Sequence, residues 1–310
     1  MTKGQKIGVI VPVFNEEENL PELKRRLTAA LESTKLDYEV ILVDDGSRDR
    51  TLELMRSFSK DDARWKALSL SRNFGHGAAC TSGLDHVDAD AIVFLDADLQ
   101  DPPELIGEFI KKWRAGYAVV FGARTGRPES WLRQTVTEVF YRLLNGLSAT
   151  PLPLDAGIFS LLDRTAYESL RKLPERHRYL TGLRAWVGYS QTSVPYERQS
   201  RHASQPKQSL AKLMSLGFDA VFCFSSAPLR LATLIGMAMA AGSFLLSLKV
   251  LYEKFFTDKP IIGWTSTIVV MTWTGGAILF TLGIIGEYIG RIYDEIKQRP
   301  IYLVKEKIGL

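Results

Sequence analysis

Short apolar runs alternate with amphipathic stretches along the first 125 residues. Ile7–Phe14 is an apolar run that closes around Pro12 and Asn15, and it predicts a buried strand. Glu16–Glu32 then spaces Leu20, Leu23, Leu27 and Leu31 at helical intervals. The alternation repeats with a strand over Tyr38–Val43, a helix over about Arg50–Lys60, a strand over Trp65–Leu70 and a helix over His76–Val87. It continues with a strand over Ala91–Leu95, a helix over Pro103–Ala115 and a strand over Tyr117–Phe121. Strands and helices in this order predict an α/β fold whose sheet is mostly parallel, with helices on both faces. Ligands of such sheets bind beyond the carboxyl ends of the strands. Asn15-Glu16, Asp44-Asp45 and Asp96–Asp98 each stand at such an end.

The pattern changes in the last third. Leu231–Leu248 and Pro260–Gly286 carry no charge, and each is long enough to cross a hydrocarbon layer of about 30 Å as a helix. Both are dotted with small residues (Gly236, Gly242, Gly275, Gly276, Gly283), as expected where membrane helices pack closely. Tyr252, Trp264 and Tyr288 stand near the ends, where an aromatic belt would lie. Arg230 precedes the first run, and Arg291, Lys297, Arg299, Lys305 and Lys307 follow the second, whereas the connector Glu253–Lys259 carries both signs. That asymmetry predicts a multi-pass protein of the plasma (inner) membrane, with both termini and the large domain in the cytoplasm. The start of the chain is too polar, and its first apolar run too short, for a cleaved signal.

The expected organisation is therefore a catalytic domain over 1–207, a juxtamembrane segment over 208–228, two spans at about 229–252 and 260–288 within 229–292, and a cytoplasmic tail over 293–310. The juxtamembrane segment sets Leu213, Leu216, Phe218 and Phe222 among Lys212 and Asp219, which suits either a helix on the membrane surface or an ordinary linking helix. The tail segment Ile301–Val304 looks strand-like and suited to pair with a neighbouring copy.

Composition sharpens this division. The average, 46% hydrophobic and 24% charged, is that of an ordinary globular chain. Up to Lys207 the sequence holds 29 Lys and Arg against 28 Asp and Glu; beyond it the counts are 10 and 7. A charge-rich, balanced domain thus precedes a charge-poor, slightly basic one. The two cysteines, Cys80 and Cys223, exclude a disulfide framework and a thiolate metal cluster.

The candidate chemistry lies in acidic loops. Asp96-Ala97-Asp98 follows directly on an apolar strand, and two carboxylates one residue apart can share a divalent cation with phosphates bound to it. Asp101-Pro102-Pro103-Glu104 opens a helix straight after, so rigid elements hold the loop on both sides. Asp44-Asp45-Gly46-Ser47 reads locally as a turn, but two consecutive carboxylates at a sheet mouth can also accept hydrogen bonds from a base amide or a ribose hydroxyl. Neither a Gly-rich dinucleotide turn nor a P-loop follows the first strand. His76 reads as a helix-start residue and Cys80 as a small packing residue.

Val11-Pro12-Val13-Phe14-Asn15-Glu16, Val43–Asp49, Arg72-Asn73-Phe74-Gly75 and Asp96–Glu104 together resemble glycosyltransferase family 2, of the GT-A fold. With two C-terminal spans and the segment Leu282–Tyr293, the chain is similar to the polyisoprenyl-phosphate glycosyltransferases, bactoprenol glucosyltransferases most of all and dolichyl-phosphate mannosyltransferases more distantly. The resemblance implies that Pro12, Phe14, Glu16, Asp44, Asp45 and Gln100 serve the nucleotide sugar, and that Asp96 and Asp98 hold Mg²⁺ or Mn²⁺ with the donor diphosphate. Asp155 would be a base or orient the sugar, and orientation is favoured because a phosphate acceptor is already ionised. Arg124, Arg127, Arg201 and Lys207 match basic positions suited to the acceptor phosphate. Ile158 after Gly157, and Ala203–Lys207, depart from the residues common in the family. A Q-x-x-R-W signature is absent near Arg184-Ala185-Trp186, which favours single transfer over polymerisation.

The implied activity is inverting, metal-dependent transfer of one hexose, glucose from a UDP-sugar, to undecaprenyl or another polyprenyl phosphate. The alternatives are the same reaction with GDP-mannose or a UDP-aminopentose, and a non-catalytic, membrane-anchored binder of sugar nucleotides. Expected partners are the donor, the lipid acceptor, the bilayer and further copies of the chain, a tetramer among the options, with no nucleic acid.

Overall fold

The computed structural model describes residues 5–125, 156–176, 178–197, 227–256 and 263–310. Strands β1 (Lys6–Val13), β2 (Asp37–Asp44), β3 (Trp65–Leu70) and β4 (Ala91–Phe94) alternate with helices α1 (Leu20–Ser33), α2 (Thr51–Asp61) and α3 (His76–His86). A 3₁₀ turn, Pro103–Leu105, runs into α4 (Ile106–Arg114), and β5 (Val119–Thr125) follows. Beyond residue 155 come β6 (Ala156–Asp163), α5 (Arg164–Arg171), α6 (Leu180–Trp186) and β7 (Gln191–Glu197), then the long helices α7 (Ala227–Phe256) and α8 (Trp264–Ile296), and last β8 (Val304–Ile308).

The strands form one sheet in the order β7-β5-β6-β4-β1-β2-β3-β8. β1 is parallel to β2 and β4, and β2 to β3, while β6 runs antiparallel to both β4 and β5. β1 and β2 are buried over seven of their eight residues each, which is why they read as unbroken apolar runs. The leucine stripe of α1 (Leu20, Leu23, Leu27, Leu31) packs into the main core with Phe109 and Phe159.

Several boundaries differ from the sequence reading. α1 starts four residues later than expected: Asn15 takes a left-handed conformation (φ 53), the Asn19 and Leu20 amides donate to the Glu16 carbonyl, and Pro21 sits in the first turn, where its missing N–H costs nothing. β5 runs on through Arg124, which therefore belongs to the strand itself rather than to a loop after it.

β8 pairs antiparallel with β3 of the same chain, and it begins at Val304, where the strand-like segment expected over Ile301–Val304 ends. The Ser71 amide donates to the Leu303 carbonyl at 2.8 Å, the Tyr302 hydroxyl to Asp85 at 2.8 Å, and Arg56 pairs with Glu306 at 2.6 Å. Among the described residues, 5–197 and 299–310 gather into one compact unit and 227–298 into a second.

In the second unit α7 and α8 are 30 and 33 residues long, and both are long and apolar enough to cross a membrane. Leu234, Phe244, Leu245, Trp273, Leu279 and Phe280 are all exposed on them. Each helix runs past its uncharged stretch, and the charges beyond that stretch pair along the helix, as Glu287 does with Arg291 at 2.9 Å.

Candidate active site

Strand direction gathers the chemistry at one edge of the sheet. The carboxyl ends of β1, β2 and β4 open there because those strands are parallel. β6 runs the other way, so its start, Ala156–Ile158, lies at the same edge, and β5, antiparallel to β6, ends there with Arg124.

The loops after β1 and β2 are laced to each other. The Asn15 amide donates to the Ser47 hydroxyl at 2.9 Å, the Arg48 amide to the Asn15 side chain at 2.8 Å, and the Glu16 amide to the Thr51 hydroxyl at 3.0 Å. Pro12 is buried in β1, Phe14 is exposed, and Glu16 is half-buried with its carboxylate accepting from the Asn19 side chain at 2.6 Å.

The paired carboxylates of Asp44 and Asp45 do different work. Asp44 is buried and engages both oxygens inside the protein, one with the Ser47 amide at 2.8 Å and one with the Ser69 hydroxyl at 2.9 Å. Asp45 accepts from the Phe74 and Gly75 amides at 2.7 and 2.9 Å, and so fixes the loop leading into α3. Burial pushes the Asp45 carboxyl up despite those two donors. Gly46, at φ +75, lets this turn lie against the Arg72–Asn73 backbone, where a Cβ would come within 2.7 Å.

After β4 the chain alternates: Asp96, Asp98 and Gln100 are partly exposed while Ala97 and Leu99 are buried. Leu99 sits at φ 58, and the Gln100 amide donates to Asp98 at 3.2 Å. Both carboxylates are thereby presented on one side of a fixed loop. Among the described residues no cluster of three or more His, Cys, Asp or Glu forms a closed metal cage. Two carboxylates without a cage suit a hard cation that takes its other ligands from phosphate and water. His76, read from sequence as a helix-start residue, bonds Asp96 through Nε2 at 2.8 Å, with the Cys80 sulfur 3.8 Å from its Nδ1. Cys80 and Asp96 hold the His76 imidazole well above the usual histidine range.

Asp101 is buried at the far end of the same loop. The Tyr196 hydroxyl donates to it at 2.5 Å, Arg124 Nη2 lies 3.5 Å from it, and Arg124 Nε donates to the Tyr196 oxygen at 3.2 Å. Burial works against the Arg124 charge, but Asp101 and Tyr196 outweigh it and raise its pKa; burial followed by Asp101 raises that of Tyr196. Arg124 also lies across Gly157, where a Cβ would stand 2.5 Å from Nη2. The structure therefore brings Pro12, Phe14, Glu16, Asp45, Asp96, Asp98, Gln100 and Arg124 to one edge. Arg127, Asp155, Arg201 and Lys207 lie outside the described residues. Tyr196, 72 residues from Arg124, carried no sequence signal.

This sheet with its acidic loops is the GT-A arrangement of nucleotide-sugar transferases. Residues 8–171 match the profile of Glycosyl transferase family 2, and the chain belongs to that family and is a glycosyltransferase. It is 44% identical to the glycosyltransferase YkcC of Bacillus subtilis strain 168, over 100% of this chain and 96% of that one. It is 37% identical to the bactoprenol glucosyl transferase of Shigella phage SfII, over 97% of this chain and 98% of that one. Among solved structures, glucosyl-3-phosphoglycerate synthase of Mycobacterium tuberculosis, in complex with Mn²⁺, UDP and phosphoglyceric acid, shares the fold at a TM-score of 0.50 and 19% identity, over 71% and 77% of the two chains.

Proposed function

We propose that the protein transfers one glucose from UDP-glucose to a polyprenyl phosphate, with inversion, at the cytoplasmic face of a membrane. The observation that carries the reading is the edge itself, where Asp96 and Asp98 stand between the laced β1–β2 loops on one side and Arg124 on the other. Relatives named bactoprenol glucosyl transferase, alike over nearly the whole chain, support this acceptor and this sugar.

In this reading the β1–β2 loops seat the nucleoside, with Phe14 available to stack and Glu16 to accept a hydrogen bond. Asp96 and Asp98 would hold Mg²⁺ or Mn²⁺, which offsets the charge developing on the departing diphosphate. His76 holds Asp96 in place, and an oriented ligand binds its metal better than a free one. Arg124 receives the acceptor phosphate and screens it from the donor's charge. That phosphate is already ionised, so the acceptor needs positioning more than deprotonation, and Asp155 is assigned to orienting the sugar.

α7 and α8 are read as a membrane hairpin. The chain leaves the sheet after β7 and rejoins it at β8 with both helices between, so if both cross, the two flanking segments share one side. The basic residues Arg230, Arg291 and Lys297 support reading that side as cytoplasmic.

The test is incubation of the purified full-length protein with undecaprenyl phosphate, Mg²⁺ or Mn²⁺, and a panel of radiolabelled nucleotide sugars. Lipid-extractable label from UDP-glucose is expected. Label from GDP-mannose or a UDP-aminopentose alone would replace the donor, and no label from any donor would sink the reading.

A further inference from the structure

Among the described residues of the first unit three partly buried arginines have hydrogen-bond partners, although Arg178 Nε has none, and Arg184 is the fully buried one. Arg171 donates to the Leu84 and Val87 carbonyls and pairs with Glu168; Arg178 donates to the Leu170 and Leu173 carbonyls; Arg124 has Asp101 and Tyr196. Arg184, on α6, is only 2% exposed. Its Nη1 donates to the Gly157 carbonyl at 3.1 Å, and its guanidinium lies over the Phe121 ring at 5.0 Å. Among the described residues its Nε and Nη2 have no hydrogen-bond partner. Burial pulls its pKa down to about 10, opposed only by Tyr179.

A cation taken out of water with no anion beside it is unfavourable, and an anionic ligand arriving beside it relieves that cost. We infer that Arg184 is a binding residue for the acceptor's phosphate, its unpartnered Nε and Nη2 donating to phosphate oxygen at the start of β6. The inference rests on the acceptor proposed above.

Three observations converge on that ligand. First, Arg184 and Arg124 both reach the same glycine, one by donating to the Gly157 carbonyl and the other by lying where a Gly157 Cβ would stand. Second, the Arg124 charge is offset by Asp101, whereas no carboxylate among the described residues pairs with Arg184. Third, Gly157, whose carbonyl Arg184 holds, stands at the start of β6 and is itself only partly buried. In the proposed function the donor's phosphates lie with Asp96 and Asp98 in the loop after β4, whereas Arg184 bonds Gly157 on the β6–β5 side, away from β1 and β2.

The experiment compares wild type, Arg184→Met and Arg184→Lys as full-length protein in lipid nanodiscs. It reads thermal melting with and without undecaprenyl phosphate, initial rates against undecaprenyl phosphate, and calorimetric affinity for UDP with Mn²⁺. Arg184→Met is expected to melt no lower than wild type without ligand, because it removes an unpaired buried charge. It should lose the melting shift that undecaprenyl phosphate gives and raise the acceptor KM at least tenfold, with UDP affinity within twofold of wild type. Arg184→Lys, which keeps a charge but not the fork, should fall between the two. An acceptor KM within twofold of wild type in both variants overturns the inference, whether the loss then appears in folding or in UDP affinity. Should Arg184→Met fail to fold, Arg184→Lys decides on the same KM. A wild type that shows neither melting shift nor transfer would mark failure of the proposed function instead.

Discussion

Gly157→Ala tests whether the placement of Arg124 matters. A Cβ built on Gly157 would stand 2.5 Å from Arg124 Nη2 and 3.0 Å from Cζ, where ordinary contact begins at 3.4 Å. The far end of the arginine side chain must therefore retreat by about 1 Å. Its two anchors have little slack: Nη2 to Asp101 is already 3.5 Å, and Nε to the Tyr196 oxygen is 3.2 Å. A shift of that size away from either breaks it, while Tyr196 keeps its own bond to Asp101. Misplacing a positioning group by about 1 Å costs up to about 100-fold in rate. The expectation is a 10- to 100-fold fall in kcat/KM for polyprenyl phosphate, which is about 1.4–2.7 kcal/mol of lost transition-state stabilisation. The assay is initial transfer rate against acceptor concentration at saturating nucleotide sugar, with Gly107→Ala as the control, since nothing lies within 4 Å of its Cβ position. Rates for Gly157→Ala within twofold of wild type would refute the reasoning, because the charge would then act from wherever it is pushed.

Asp98→Asn should lower transfer by roughly 100-fold or more, the scale of losing stabilisation of a developing charge, and should abolish Mn²⁺-dependent UDP binding while leaving the melting temperature unchanged. Calorimetry with and without Mn²⁺ checks it. Gly83→Ala drives a Cβ to within 2.3 Å of Ile10 Cγ2 and 3.3 Å of Val43 Cγ2, in a core with no slack. Overpacking of about 1–3 kcal/mol outweighs the gain of up to about 1 kcal/mol from helix propensity, so thermal melting should fall by several degrees. Glu104→Gln removes a two-pronged pair with Arg26 at 2.8 and 2.7 Å, worth under about 1 kcal/mol because it is exposed. Arg26 holds the Glu104 carboxyl below its unfolded value, so the pair stabilises above about pH 4.3 and its contribution is lost as the pH falls through the lowered pKa. Urea midpoints of wild type and variant should differ at pH 7 and converge in acid.

What the sequence exposed, and what it hid, follows from the physics of each element. β1 to β5 were legible because strands covered on both faces are continuous apolar runs between helical repeats. β7 (Gln191–Glu197) is an edge strand of half-exposed residues containing Pro195, and it gives no such run. β8 alternates Lys305, Glu306 and Lys307 along an edge and pairs with a strand more than 230 residues earlier, so neither its composition nor its neighbours announce its partner. The two long helices were found from their uncharged cores, but they run on into charged turns, such as that of Glu287 and Arg291, which a hydropathy pattern does not include. In the site, the carboxylates could be located at strand ends but not apportioned. Asp44 and Asp45 are adjacent, yet one is consumed by Ser47 and Ser69 and the other by the Phe74–Gly75 amides. Contacts made across loops, His76 to Asp96 and Tyr196 to Asp101, leave no trace in local spacing.

The sheet order also accounts for how two anions can meet at one edge. From β2 through β1 to β4 the loops contribute Asp45, Glu16, Asp96 and Asp98, a run of negative charge that would repel a nucleoside diphosphate without a cation between them. From β6 to β5 and α6 the described residues contribute Arg124 and Arg184, the two cations proposed to meet the acceptor phosphate. In the proposed reaction the donor is thus tied to the metal and the acceptor is not. The boundary between the two halves is β6, whose reversed direction brings its chain start, and Gly157 with it, beside the end of β4. A parallel strand in that place would present its chain end here and put Gly157 at the opposite edge, away from both guanidinium groups. In the proposed reaction the reversal of β6 is therefore a requirement of the site as well as a feature of the fold, and the 2.5 Å approach of Arg124 Nη2 to the Cβ position explains why a residue without a side chain stands there.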